Sequence, residues 1–253
     1  MRTVDPVLPA EVGSADGLAY SLWWPDSGKR PRGGVVIVHG AGSCKENHHD
    51  FARSLVAVGF AALAFDQRGH GDSDGLLDGR ALEDVAAMAS LLRARSGLPE
   101  LRVALRGSSM GGYLAIVSAP LAAAQAVVAI CPASAEGLRR GLVAERFDFA
   151  ADIPALDRLL SANDEFAAVG SLAIPVLILH AEGDEQVPVQ HSRELAQRAD
   201  SSRIRLIAVP GGHHRSVQHD PELCAVSLRF LEHALAPRPS VRPGEAADRR
   251  VGG

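Results

Sequence analysis

Only three cysteines occur in the chain, Cys44, Cys131 and Cys224, an odd number spread over its whole length. That excludes a disulfide framework and points to reduced thiols in a cytoplasmic setting. Charge of one sign is not in excess: 26 Lys and Arg against 30 Asp and Glu leave a formal net charge of −4. There is accordingly no electrostatic footprint for nucleic acid, and a small neutral molecule is the expected partner. The opening residues, MRTVDPVLPAEV, lack the basic and apolar regions of a signal peptide, so export is not expected. The longest mostly apolar run, 113–130, is about as long as a bilayer span requires, but Pro120 and Gln125 interrupt it. A helix followed by a buried strand explains it better, and no membrane insertion is expected. Internal repeats are absent, and the composition leaves the oligomeric state open, a homodimer included.

What the chain has is enough apolar residue to bury a core, 47% of 253 positions, in alternating short and long patterns. Two apolar stretches within 3–24, around a turn-rich VGSADG, read as an antiparallel pair. Short continuous apolar runs at 35–38, 60–65, 103–105, 126–131 and 176–180, and one ending at Val209, suit strands covered on both faces. Between them, 51–58, 81–95, 113–119 and 223–235 carry apolar residues at helical spacing. The alternation predicts an α/β protein with a doubly wound, mostly parallel eight-stranded sheet, whose ligands sit at the carboxyl ends of the strands.

About forty residues, 133–174, intervene before the strand at 176–180, more than an ordinary connection needs. They hold Phe147, Phe149 and Phe166 among several leucines, and read as a small helical cap whose apolar faces wall a pocket. The main domain is expected over 1–235, with 236–253, which has no apolar pattern, as a disordered tail.

The residues with chemistry follow the predicted strands. Gly107-Ser108-Ser109-Met110-Gly111 stands between a strand and a helix, so Ser109 would occupy a strained turn with a helix N-terminus behind it. His39-Gly40-Ala41-Gly42 follows the strand at 35–38, and DQRGHGDS (66–73) follows the strand at 60–65. Asp184 lies in the loop AEGDEQVP after 176–180, and His213 and His214 lie in PGGHHRS after Val209.

In this chain order the motifs resemble those of the α/β-hydrolase family, in the serine hydrolase branch of monoglyceride lipases, carboxylesterases and serine aminopeptidases. The resemblance covers about 35–235. It implies Ser109 as nucleophile, Asp184 as the acid, and His214 or its neighbour His213 as the base. Met110 and Ala41 would supply the oxyanion N–H groups, with His39, Gly40, Asp66 and Arg68 supporting their loops; an Asp66–Arg68 ion pair is the expected brace. Glu182 and Glu185 are expected to be surface charges. No cofactor is implied, and the remaining histidines share no ligand spacing with Cys, Asp or Glu, so no metal site is expected. The implied activity is hydrolysis of a small, largely apolar carboxylic ester through an acyl-enzyme. Thioester, amide or peptide, and carbon–carbon bond hydrolysis stay open on the same triad, as does a non-catalytic ligand-binding role.

Overall fold

Most strands form where short apolar runs stand between glycine, proline or polar breakers, and the computed structural model, which describes residues 6–25 and 29–236, contains eight strands. β1 (Glu11–Ala15) and β2 (Leu18–Trp23) form a hairpin closed by Asp16-Gly17, both at positive φ as a two-residue turn requires. Then come β3 (Gly34–Val38), β4 (Ala61–Phe65), β5 (Val103–Ser108), β6 (Ala126–Ile130), β7 (Val176–Ala181) and β8 (Ile204–Val209). They lie side by side in the order β1-β2-β4-β3-β5-β6-β7-β8. β3 to β8 are parallel, and β2 runs against both its neighbours. The expected architecture is present.

Successive strand residues feed opposite faces. Val36 and Val38 pack with α2 (Ala81–Ser96) and α3 (Met110–Ser118), whereas Val35 and Ile37 pack with α1 (His49–Ala57). Because both faces are covered, the central strands are largely apolar, with Arg106 of β5 and His180 of β7 as buried exceptions, which is why they read as near-continuous runs. The apolar run at 113–130 divides into α3, a turn and β6, and among the described residues no helix is long and apolar enough to cross a membrane.

The insertion after β6 is three helices: α4 (Ala135–Val143), α5 (Ile153–Ala162) and α6 (Glu165–Ser171). Each starts at a side-chain cap, Ser134, Asp152 and Asp164, which accepts a hydrogen bond from a first-turn N–H. α6 packs on α3 and on α7 (Val189–Arg198), as an ordinary crossover helix would. Here the structure corrects the sequence. Leu142, Leu156, Leu159 and Leu160 do not wall an open apolar pocket; they are buried, with Leu138, in one cluster with Tyr113 and Leu114 of α3. The seam there encloses about 10 Å³, barely room for one water. Two further helices, α8 (Ser216–His219) and α9 (Pro221–Ala234), close the far face. Of the tail expected to be disordered, 237–253 lies outside the described residues.

Candidate active site

β5 runs into α3 with one residue between them, Ser109. Its φ of 53° and ψ of −120° place a side-chain-bearing residue at positive φ, a conformation costing about 1–3 kcal/mol. The surroundings hold it there: the Ser109 N–H donates to the Ile130 carbonyl at 2.9 Å, and its own carbonyl accepts from Gly112, Tyr113 and Ala133. The flanking glycines are set by backbone contact. A Cβ on Gly107 would lie 1.9 Å from the Gly111 carbonyl oxygen, and one on Gly111 would lie 2.1 Å from that of Val38. Glycine there lets the first turn of α3 press on the end of β3, at the point where the chain order of the sheet reverses and a crevice opens.

The loop after β3 therefore sits against Ser109. Ala41 and Ser109 line one cleft, and neither the Ala41 nor the Met110 N–H has a backbone acceptor among the described residues. His39 is fully buried beneath this loop. Burial pushes its pKa down to about 4, against the raising effect of its bond to the Gly40 carbonyl. That carbonyl, 2.8 Å from Nδ1, fixes the proton on Nδ1, leaving Nε2 to accept the Gln67 N–H at 3.0 Å.

The brace expected between Asp66 and Arg68 is not formed. Asp66 turns under the loop after β3 and meets Lys45, accepting its N–H at 2.7 Å and its ammonium at 2.8 Å, together with the Asp72 N–H at 2.9 Å. Arg68 turns the other way and forks onto Asp84 of α2, 2.9 Å away and also buried. Both acids and both bases are satisfied, by partners that lie far off in sequence. Burial alone would lower the pKa of Lys45, yet its bonds to Asp66, Asp72 and Glu46 outweigh this and hold it above the usual lysine range.

The acid and base loops follow neighbouring strands. After β7 and β8 the chain stays laced, Glu182 N–H to the Val209 carbonyl and Gly183 N–H to that of Gly211, which brings Asp184 opposite the His213-His214 turn. His214 Nδ1 lies 2.7 Å from Asp184 Oδ2. An ionised carboxylate only accepts, so Nδ1 carries the proton and Nε2 keeps its lone pair. His213 faces away, exposed, its Nδ1 accepting the Arg215 N–H at 3.3 Å. The Asp184 side chain is fully buried, and its Oδ1 accepts the Gln186 and Val187 N–H groups at 2.9 Å each. Burial would raise its pKa, but the bonds from His180, His214 and these two amides hold the carboxyl far below the usual range. Glu182 pairs with Arg193 at the surface, as expected, while Glu185 also accepts the His214 N–H.

Spacing in the sequence does not reveal three members of the site. Lys45 is the first. The second is His180, a buried residue whose Nε2 donates to the Val187 carbonyl at 2.9 Å and lies 3.4 Å from Asp184 Oδ2. The third is Cys131, buried at the end of β6 with φ of 42°; its sulfur, a carboxylate oxygen of Asp184 and a ring nitrogen of His214 lie within 4.8 Å of one another. Burial pushes the thiol pKa up to about 12.

Ser109 and His214 open on a cleft of about 850 Å³. Leu138 and Phe147 line it from the insertion, but so do Arg140, Arg146 and Asp148, with Glu185, Gln186 and Arg215 from the opposite side. The wall is mixed rather than apolar. The Ser109 hydroxyl, the His214 imidazole with a buried carboxylate behind it, and Ala41 line this one cleft, residue types suited to acyl transfer.

Comparison with known proteins agrees with the fold. A monoacylglycerol lipase of Mycolicibacterium smegmatis is 29% identical over 251 residues, covering 81% of this chain and 88% of its own length. Est1E from Butyrivibrio proteoclasticus shares the fold with a TM-score of 0.67 at 20% identity, over 90% of this chain and 100% of that one. A soluble variant of monoglyceride lipase from Saccharomyces cerevisiae, in complex with a substrate analog, gives 0.68 at 16% identity, over 92% and 95%. The family model described as serine aminopeptidase, S33, matches residues 29–156, just over half the chain, a span that includes Ser109 but stops short of Asp184 and His214. With that match and this fold, the chain belongs to the S33 serine aminopeptidase family of α/β-hydrolases.

Proposed function

We propose that the protein is a serine hydrolase of carboxylic esters that works through an acyl-enzyme on Ser109. The observation that carries this reading is the 2.7 Å contact of His214 Nδ1 with buried Asp184, on the same cleft as a serine held at positive φ. Ser109 Oγ attacks the ester carbonyl while His214 Nε2 takes its proton, and Asp184 stabilises the imidazolium that results. The N–H groups of Met110 and Ala41 bind the tetrahedral oxyanion. His214 then delivers the proton to the leaving alcohol, and water repeats the sequence on the acyl-enzyme. The monoacylglycerol lipase relative favours an ester, and the insertion over 133–174 acts as a cap that contributes Leu138 and Phe147 to the acyl side.

A second reading, hydrolysis of an amide at a peptide N-terminus, is favoured by the family's description and by Asp148 and Glu185, two carboxylates in the cleft that suit an ammonium group. Turnover of nitrophenyl esters compared with aminoacyl nitroanilides separates the two. Under either reading Ser109→Ala lowers kcat by about 10⁴ to 10⁶. A fluorophosphonate probe labels Ser109 in the folded protein and leaves the variant unlabelled. Full turnover by Ser109→Ala would sink the mechanism.

A further inference from the structure

A serine triad ordinarily offers a cation two donors, an imidazole and a carboxylate. Here a third lies beneath them. Cys131, Asp184 and His214 follow three adjacent strands, β6, β7 and β8, and their donor atoms are mutually within 4.8 Å. Backbone groups fix two of them: the Cys131 N–H donates to the Leu179 carbonyl at 2.8 Å, and the Asp184 carboxylate accepts from two amides. We propose that Cys131, Asp184 and His214 together bind one thiophilic divalent cation, of the Zn²⁺ or Cd²⁺ class, and that this binding switches hydrolysis off. The inhibitory half rests on the function proposed above; the binding half does not.

The dimensions fit. With metal bonds of about 2.3 Å to sulfur and about 2.0–2.2 Å to nitrogen and oxygen, the edges of a tetrahedral site are roughly 3.3–3.6 Å. The His214–Asp184 contact of 2.7 Å must open by roughly 0.6 to 0.9 Å, and the sulfur, already within 4.8 Å, closes onto the same point. One sulfur, one nitrogen and one oxygen donor select borderline-soft ions over Mg²⁺ or Ca²⁺. The cation reaches the site past His214, which lines the cleft and is the least buried of the three.

The reaction balances as an exchange of one proton. The Cys131 thiol releases its proton to solvent and binds as thiolate, and Asp184 binds as the carboxylate it already is. His214 moves its ring proton from Nδ1 to Nε2 and binds through Nδ1. The consequence for catalysis is direct: Nε2, once protonated, has no lone pair to receive the proton of Ser109.

The test uses the full chain, with Cys44 and Cys224 changed to alanine so that one thiol remains, titrated with CdCl₂ after treatment with a chelator. The expected result is an ultraviolet thiolate-to-cadmium band that saturates at one ion per chain, in step with loss of ester turnover, with both reversed by chelator. In Cys131→Ala the band is absent. Loss of even an outer partner of a metal ligand costs about 10- to 100-fold in affinity, so half-inhibition moves to at least about 100-fold higher cadmium. Inhibition in this variant is read as a fraction of its own metal-free turnover, whatever that turnover is. Cys131→Ser, closer in size and polarity, replaces it if circular dichroism shows the alanine variant unfolded. A folded protein that gives no band, or inhibition unchanged by loss of Cys131, overturns the proposal. If the metal-free protein cleaves no ester, the band still decides the cation site, and it is the proposed function that has failed.

Discussion

His213 and His214 are chemically identical, and only the path of the backbone distinguishes them. Gly211 and Gly212, both at positive φ, turn the chain so that the second imidazole meets Asp184 and the first meets solvent. His214→Ala is therefore expected to lower ester turnover by about 10⁴, and His213→Ala to stay within about twofold of the parent, measured with the same nitrophenyl ester. Equal losses in the two variants would mean that the Asp184 contact has no catalytic role. Sequence left this pair open because a loop motif specifies residue types and not the rotation of the chain. Ser109 and Asp184 were legible because each sits directly after a strand, in a local pattern. Cys131 was not, since its neighbours are 53 and 83 positions away and are brought near only by the order of the strands.

Elements were easier to read than their ties. The strands and helices of the sheet fall within a few residues of their expected ends, because apolar runs between breakers have few other ways to bury themselves. The one brace expected, Asp66 with Arg68, was misread, because a buried lysine is rare and nothing in the sequence pairs Lys45 with Asp66. Its removal tests the brace. Lys45→Met leaves Asp66 buried without its cation, which should cost about 3–5 kcal/mol in urea unfolding. Because the same loop carries the Ala41 N–H, kcat should fall more than KM rises in that variant. A surface-like effect, under about 0.5 kcal/mol, would show that the ion pair does not hold the loop.

For the molecule as a whole, the buried histidines under the site make stability depend on pH. His39 has its pKa near 4 in the folded protein, against about 6.5 in an unfolded chain, so the unfolded state takes up a proton first as pH falls. Its contribution is fully present above about pH 6.5 and is lost progressively down to about pH 4, which amounts to about 2 kcal/mol at pH 5. His48, also buried and shifted down by burial, acts in the same direction. Urea midpoints measured at about pH 7.5 and 5 should differ accordingly, and His39→Gln should narrow the gap; a midpoint independent of pH would contradict the burial of a neutral ring. Asp184, whose carboxyl is shifted down, has the same sign: its stabilisation is fully present above the ordinary carboxylate range and is lost progressively as pH falls from that range toward its lower folded value. One tie reaches across the whole structure. The insertion is stitched to the loop after β4 by Ala150 N–H to the Gly69 carbonyl, Leu77 N–H to the Ala150 carbonyl and Asp152 N–H to the Leu77 carbonyl, and Phe149 stacks on His70. That loop also carries Asp66. The helices above the cleft are thus not an interchangeable cassette: a graft from a relative must reproduce an extended segment at 149–152, or it will loosen the floor on which the loop after β3 stands.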